Sequence, residues 1–387
     1  MRKRYRRVTA ALAAVGLLAG ACDSSASGSG DSGSGPIRIA VMAILTGPNH
    51  SVGWDNAFKL AVDEINASGG ILGRQVEYKE FDTGLTPQGA ADATNLALEY
   101  QPNLLLGYSV SAGLKASASA INNAGIPVIQ GTRSALTSPD SLDSKLTFRI
   151  VQTNDQFALA GMRYLTEQAG VKSMMLINTQ DAAPTEGADN AQTQAAKAGV
   201  RTERRGVSPT VTDLTEPILA AKGMDAINEW GYPTTDALTV KTAAANGYTG
   251  QIMTASASNA VRSGLIPASL LTDKVHAAPW CAPDIVDTPA AKKFTQAYTA
   301  KYGEVPTEST YSAYYDALYI FKTVAEQGKS IEPDKIADGL AKVDYQGACG
   351  EEKTDAHHNM LHSVPILSFP GGKTKLDLNV TGLESGY

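Results

Sequence analysis

Short apolar runs and stretches of helical spacing alternate from Ile37 onward, the pattern of βαβ units built on a parallel sheet. Ile37 to Ala43 reads as a buried strand. Trp54 to Ala67 follows as a helix, with Trp54, Phe58, Ala61, Val62 and Ile65 at helical spacing and Gly69-Gly70 to stop it. Val76 to Phe81 alternates as a strand, and Thr86-Pro87 is a cap with proline at the first helical position, opening a helix toward Tyr100. Asn103 to Gly107, a helix through Asn123, and Pro127 to Gln130 complete a third and fourth strand of one sheet.

A second series begins near Leu146. Strand-like runs at Ser173 to Asn178, Val200 to Val207, Asp225 to Glu229, Gln251 to Ala255 and Lys274 to Ala278 are separated by helical segments at Gln156 to Ala169, Glu186 to Ala198, Asp213 to Lys222 and Thr235 to Ala245. The remainder changes character: Thr288 to Tyr302, Glu308 to Gln327 and Pro333 to Lys342 are helical, and Val364 to Phe369 with Lys375 to Leu378 predicts a closing hairpin around Pro370-Gly-Gly372.

The first residues stand outside this pattern. Arg2, Lys3, Arg4, Arg6 and Arg7 precede an apolar stretch, Val8 to Ala21, too short to span a bilayer, and small residues lead to Cys22: an export signal over 1–21. Leu18-Ala-Gly-Ala-Cys22 resembles a bacterial lipobox with its Leu one place early, Ala19 standing where Leu is usual, which implies acylation of Cys22. Residues 22–36 form a Ser/Gly tether. No later segment is apolar for long enough to form a transmembrane helix, so the expected location is the outer face of the bacterial cytoplasmic membrane, held by lipid.

Composition narrows the function. The 387 residues, 43% apolar and 19% charged, are enough for two ordinary domains and exclude a disordered chain. The chain carries 33 cations and 39 anions; without the five cations of the signal the balance is 28 against 39, or −11, which excludes a nucleic-acid partner. Of three cysteines, Cys281 and Cys349 remain after Cys22 as a pair in an oxidising compartment, where a disulfide is the default.

In open parallel sheets, ligands bind beyond the carboxyl ends of the strands, where helix N-termini present unpaired N–H groups. The loop Gly107-Tyr-Ser-Val-Ser-Ala-Gly113 starts a helix with two hydroxyls and free amides, suited to a carboxylate, with Tyr108, Ser109 and Ser111 as candidates. Either serine can instead serve as a helix cap alone.

The run Ala61-Val-Asp-Glu-Ile-Asn-Ala-Ser-Gly-Gly-Ile-Leu-Gly-Arg74 closely resembles the segment after the first strand of type I periplasmic binding proteins of the branched-chain amino-acid (Leu/Ile/Val-binding) group. Phe81-Asp82 with Thr86-Pro87, Asn122 to Thr137, and Tyr314-Tyr-Asp-Ala-Leu-Tyr319 are similar to further family segments in the same order, and the resemblance covers residues 37 to 380. It implies an α/β fold of two doubly wound parallel-sheet lobes joined by three hinge crossovers. Lobe 1 would be 37–150 and 282–345, lobe 2 would be 151–281 and 346–380, and 381–387 a C-terminal tail. The crossovers would fall near Phe148-Arg-Ile150, Pro279 to Pro283 and Tyr345 to Gly350, which brings Cys281 and Cys349 together at the hinge.

The implied function is that of the lipoprotein substrate-binding component of an ABC transporter. It would close on a small amino-acid-like, amide or carboxylate ligand and deliver it to the importer's permease subunits, as a monomer without cofactor or metal. In the family, the first loop and the one after the next strand, here Gln130, Gly131 and Thr132, hold the ligand carboxylate. Trp230 and Tyr232 match the family's aromatic wall, and Trp54 either lines the cleft or braces it, as does Trp280. The family places that carry a Tyr and an acid for a ligand ammonium fall at Pro184 and at or next to Ser256. Asp181 or Glu186 is then the substitute acid; without one, a ligand lacking an ammonium is favoured over leucine.

Other clusters carry less. His357, His358 and His362 lie near Asp355, but the stretch resembles the family's variable polar turn rather than a zinc site. Tyr311, Tyr314, Tyr315 and Tyr319 form a helical stripe expected in the core. A secreted hydrolase is the alternative of another class, but Gly107-Tyr-Ser-Val-Ser lacks the final Gly of a nucleophile elbow. A ligand sensor of the same fold, signalling to a membrane receptor, is the other.

Overall fold

The structure is a computed structural model that describes residues 35–47, 50, 53–254, 260, 261, 264–306 and 309–387, with the backbone alone at 309–311. The expected lipidation site Cys22, the expected signal, most of the tether and Ser256 lie outside the described residues.

Five parallel strands form the first sheet: β1 (Ile37–Ala43), β2 (Val76–Asp82), β3 (Leu104–Gly107), β4 (Val128–Gln130) and β5 (Thr147–Arg149), in the order β2-β1-β3-β4-β5. Both faces are covered, which is why the central strands β1, β3 and β4 are largely apolar, while the edge strand β2 alternates. On one face Ile37, Ile39 and Val41 pack with Phe58, Val62 and Ile65 of α1 (Asn56–Ala67) and with Leu318 and Phe321 of a later helix. On the other, Ala40 and Met42 meet Ala93 and Ala97 of α2 (Pro87–Glu99) and Leu114 and Ile121 of α3 (Ser111–Ala124). Each of the larger buried side chains, such as Ile39, Val41, Phe58 or Met42, contributes about 1.5–3 kcal/mol.

The punctuation acts as expected. The Thr86 hydroxyl accepts the Gly89 amide at 3.1 Å ahead of Pro87, capping α2. After α1, Gly70 takes φ +80°, and a Cβ there would lie 1.9 Å from the Arg74 carbonyl, so only glycine makes this exit.

The second sheet has seven strands in the order β14-β13-β10-β9-β8-β6-β7. Strands β6 (Ser173–Thr179), β7 (Arg201–Val207), β8 (Ala226–Trp230), β9 (Gln251–Thr254) and β10 (Val275–Ala277) run parallel. The expected closing hairpin, β13 (Val364–Ser368) and β14 (Lys375–Val380), joins antiparallel to β10 and makes this sheet mixed. Its helices are α5 (Asn154–Arg163), α6 (Ala182–Lys197), α7 (Thr215–Ala220) and α8 (Pro233–Ala245), numbered after a short α4 (Pro139–Leu142). Helix α6 starts four residues before the expected Glu186, because Asp181 takes the N-cap position and Pro184 is tolerated in the first turn. The expected helix to Ala169 continues past α5 as a π-helical turn over Tyr164–Gln168.

Helices α9 (Pro289–Tyr302), α10 (Ser309–Gly328) and α11 (Pro333–Leu340) return to the first sheet's core. The tyrosine stripe lies there: Tyr315 and Tyr319 donate to Glu64 Oε2 at 2.7 and 2.6 Å, while the side chain of Tyr311 is outside the described residues. The chain thus crosses between the sheets three times. The third crossing differs from expectation: Tyr345 to Gly350 belong to a hairpin, β11 (Asp344–Gly347) with β12 (Gly350–Lys353). The hinge partner of the first crossover is Asn359, whose flanking residues His358 and Met360 hydrogen-bond both sides of Arg149 at 2.9 and 3.0 Å.

Cys281 of the second crossover is bonded to Cys349 in the β11–β12 turn, with their Cα atoms 5.0 Å apart. Beside it, Asp316 accepts the Ala348 and Cys349 amides at 2.8 and 2.9 Å and faces the buried Glu352. Among the described residues, no helix is long and apolar enough to cross a membrane.

Candidate functional site

The loops at the carboxyl ends of the two sheets meet. The residues after β4 reach the start of two helices of the second sheet: the Arg133 carbonyl accepts the Asn154 amide at 2.9 Å, and Ser134 and Ala135 bond the Glu186 carboxylate. These contacts place the strand-end residues singled out in the sequence around one interface.

Within it, several side chains have roles other than those expected. Tyr108 sits at φ +60°, which turns its ring away from the cleft. The ring is 1% exposed and its hydroxyl lies 2.7 Å from that of Thr94, in the core between α2 and α3. Gln130 and Thr132 are also buried and satisfy each other: Gln130 Oε1 accepts the Thr132 amide at 2.7 Å and its hydroxyl at 2.5 Å, and Thr132 meets the Thr137 hydroxyl. Both side chains therefore shape the loop from behind. Gly131 gives room for Tyr314, whose hydroxyl would be 2.7 Å from a Cβ at this position.

The first loop keeps its binding chemistry in the backbone. The N-cap of α3 is Val110, whose side chain accepts nothing, so neither Ser109 nor Ser111 caps the helix. Ser109 is exposed and Ser111 buried as the first residue of α3. Trp54 is a core residue of the first sheet, 6% exposed, and acts as a brace.

From the second sheet, Trp230 is 4% exposed and lies flat on α6 at Gly187, where a Cβ would sit 2.1 Å from the ring. Packed so closely, it supports the cleft rather than facing it. Tyr232 is half-buried at the N-cap of α8, and burial, with the nearby Asp181 carboxylate, pushes its phenol up to about 12. Asp181 has its Oδ2 buried without a hydrogen-bond partner. Glu186, the other substitute acid, is engaged: its carboxylate takes the Ser134 hydroxyl, the Ala135 amide at 3.0 Å and the Tyr387 hydroxyl at 2.5 Å.

Two groups escaped the sequence reading. Glu229, in the otherwise apolar β8, and Asp236, on α8, form a fully buried acid pair. Burial, and then the facing Asp236, holds the Glu229 carboxyl well above the usual carboxylate range. Opposite stands Arg133, its guanidinium between Phe157 and Trp280 at 5.4 and 5.6 Å from the ring centroids. Burial lowers its pKa against the opposing pull of Tyr232, Asp236, Tyr387 and Glu229.

The histidines are structural. His358 stacks on Phe148 with 4.2 Å between ring centroids, and His362 lies 3.0 Å from the Leu383 carbonyl. Among the described residues, the group spaced to hold a metal, Asp316, Cys349 and Glu352, has its sulfur in the disulfide.

Comparison with known proteins gives one consistent result. The profile of the periplasmic binding protein family matches residues 36–373. A Leu/Ile/Val-binding protein homologue of Brucella melitensis is 25% identical over 339 residues, covering 81% of this chain and 83% of that one. The isoleucine complex of the branched-chain amino-acid transporter substrate-binding protein LivJ from Streptococcus pneumoniae superposes with TM-score 0.78 at 22% identity, covering 89% of this chain and 99% of its own. A solute-binding protein of an R. palustris ABC transporter, in complex with benzoate, gives 0.79 at 16% identity, with 90% and 97% covered.

Proposed function

The chain belongs to the periplasmic binding protein family and has a solute-binding role, and from this we propose that it is an exported receptor, anchored through acylated Cys22, that captures a small organic solute and hands it to an ABC importer. The observation carrying this reading is the meeting of two sheets' carboxyl ends at a cleft rimmed by helix N-termini, Ser111 on one side and Asp181 and Tyr232 on the other. Such an arrangement binds a ligand by closing around it, and the ligand favours the closed state by its differential affinity for that state.

The solute class is a small carboxylate or amide with an apolar body. Neither Pro184 nor Ser256 supplies the aromatic and charged partners expected for an amino-acid ammonium, and Glu186 is already engaged across the cleft. One structural neighbour holds isoleucine and another benzoate, so the fold accommodates carboxylates with either kind of body.

Small-angle scattering and thermal shift with a panel of amino acids, amides, aromatic acids and short keto acids test this. A binding solute should raise the melting temperature and reduce the radius of gyration. Tight binding with an unchanged radius counts against closure, and a Cys22→Ser variant still held in the membrane fraction counts against the lipid anchor.

A further inference from the structure

Arg133 has the chemistry of a binding group that has not met its ligand. It follows Thr132 at the end of β4 and projects from the first sheet's side of the cleft to Phe157 and Trp280. Two aromatic rings thus flank the guanidinium, which carries five N–H donors. Among the described residues none of those donors is hydrogen-bonded and no carboxylate lies within ion-pair distance. A half-buried guanidinium with free donors at a cleft presents a ready fork for a bidentate acceptor such as a carboxylate.

The nearby acids do not supply that acceptor. Glu229 and Asp236 face each other in the buried pair, and burial, then the facing Asp236, holds the Glu229 carboxyl well above the usual range, which favours its neutral form and weakens its pull on Arg133. Asp181 lies by Tyr232, with Oδ2 buried and likewise unpartnered. The cleft therefore presents a cation with free donors, two aromatic walls and a separate free acceptor.

We propose that Arg133 is the ligand's carboxylate anchor and that this receptor selects monocarboxylate anions with an apolar body, gripped edge-on by the guanidinium, with Asp181 taking a donor on the ligand where one exists. A carboxylate matches the fork of the guanidinium with two parallel hydrogen bonds, and the rings of Phe157 and Trp280 continue as walls for the apolar part. This rests on the solute-binding reading of the cleft and assigns within it a role expected of Ser109, Ser111 and Thr132.

The test compares acids with their own amides, which keep size and shape but lose the charge: benzoate with benzamide, leucine with leucinamide, and 4-methyl-2-oxopentanoate with its amide. Titration calorimetry on the purified protein should show at least one acid binding on the order of a hundredfold more tightly than its amide. Arg133→Gln should abolish that difference, and Arg133→Lys should restore part of it, with circular dichroism showing both variants folded. Equal binding of acid and amide, or an acid preference that survives in Arg133→Gln, overturns the assignment and leaves the solute receptor standing. Binding of a neutral or cationic solute from the wider panel, with none of the acids bound, does the same. Failure of every solute to bind removes the receptor reading along with it.

Discussion

The Glu186 carboxylate, on a helix of the seven-stranded sheet, accepts the backbone amide of Ala135, in the loop after β4 of the five-stranded sheet, at 3.0 Å. The Ser134 hydroxyl joins the same carboxylate, so one side chain clasps the two halves. Charge-assisted hydrogen bonds of this kind contribute about 1.5–3 kcal/mol when shielded, and less at a half-buried residue such as Glu186. Glu186→Ala should therefore reduce the closed population by about tenfold. Small-angle scattering without solute should show a larger radius of gyration than the parent; an equal radius would mean that the clasp is not what holds the cleft shut.

A second expectation concerns pH. Glu352 is fully buried against Asp316, and burial, then the Asp316 charge, holds its carboxyl well above the usual range; burial raises Asp316 to about 6. Tyr345 also faces the pair. An acid whose pKa is raised by folding binds its proton more tightly in the native state. Its stabilising contribution is whole below the unfolded pKa and is lost as pH rises through the folded one. Glu352→Gln, which cannot ionise, should flatten the fall in stability above about pH 4 and leave the protein ~1 kcal/mol more stable than the parent at about pH 8. Urea unfolding across that range checks it, and parallel pH profiles for the two proteins would sink the argument.

The Cys281–Cys349 bond closes a loop of 68 residues. In the chain-entropy account, a loop of that size stabilises the fold by ~4 kcal/mol. A Cys281→Ser/Cys349→Ser double variant should unfold at correspondingly lower denaturant. Intact mass with alkylation, before and after reduction, should show two thiols appearing only on reduction.

Much of the scaffold was legible because it rests on local rules. The spacing of Phe58, Val62 and Ile65 could only be the face of a helix, which begins at Asn56, two residues after the expected Trp54, and Thr86-Pro87 could only open one. The site was less legible, and for stated reasons. Tyr108 was placed in the cleft because its loop belongs there, but a left-handed φ at a non-glycine residue reverses the side chain, and nothing in the sequence announces it. Thr132 and Gln130 are adjacent but one, so their mutual hydrogen bonds required knowing how the loop turns. Glu229 did leave a signal: an acid inside the run Ala226-Ile-Asn-Glu-Trp230, every residue of which is buried, is an anomaly that asks for a partner. Arg133, in the loop after β4, left no such signal, since a charged residue is ordinary in a loop. The β11–β12 hairpin was missed because its strands are largely polar and short, with no apolar alternation to read.

The disulfide also has a mechanical consequence. It pins the second crossover to the turn that leads into the third, while backbone hydrogen bonds at Arg149 lace the first to the third. Three separate strands would behave as loose cables, free to slide and twist against one another, so that the two halves could approach along many paths. Cross-linked in this way, they act as a single leaf spring, compliant to bending and stiff to shear. On the closure proposed above, the opposing loops would return to the same register each time, and the geometry around a bound solute would be reproduced without being searched for anew.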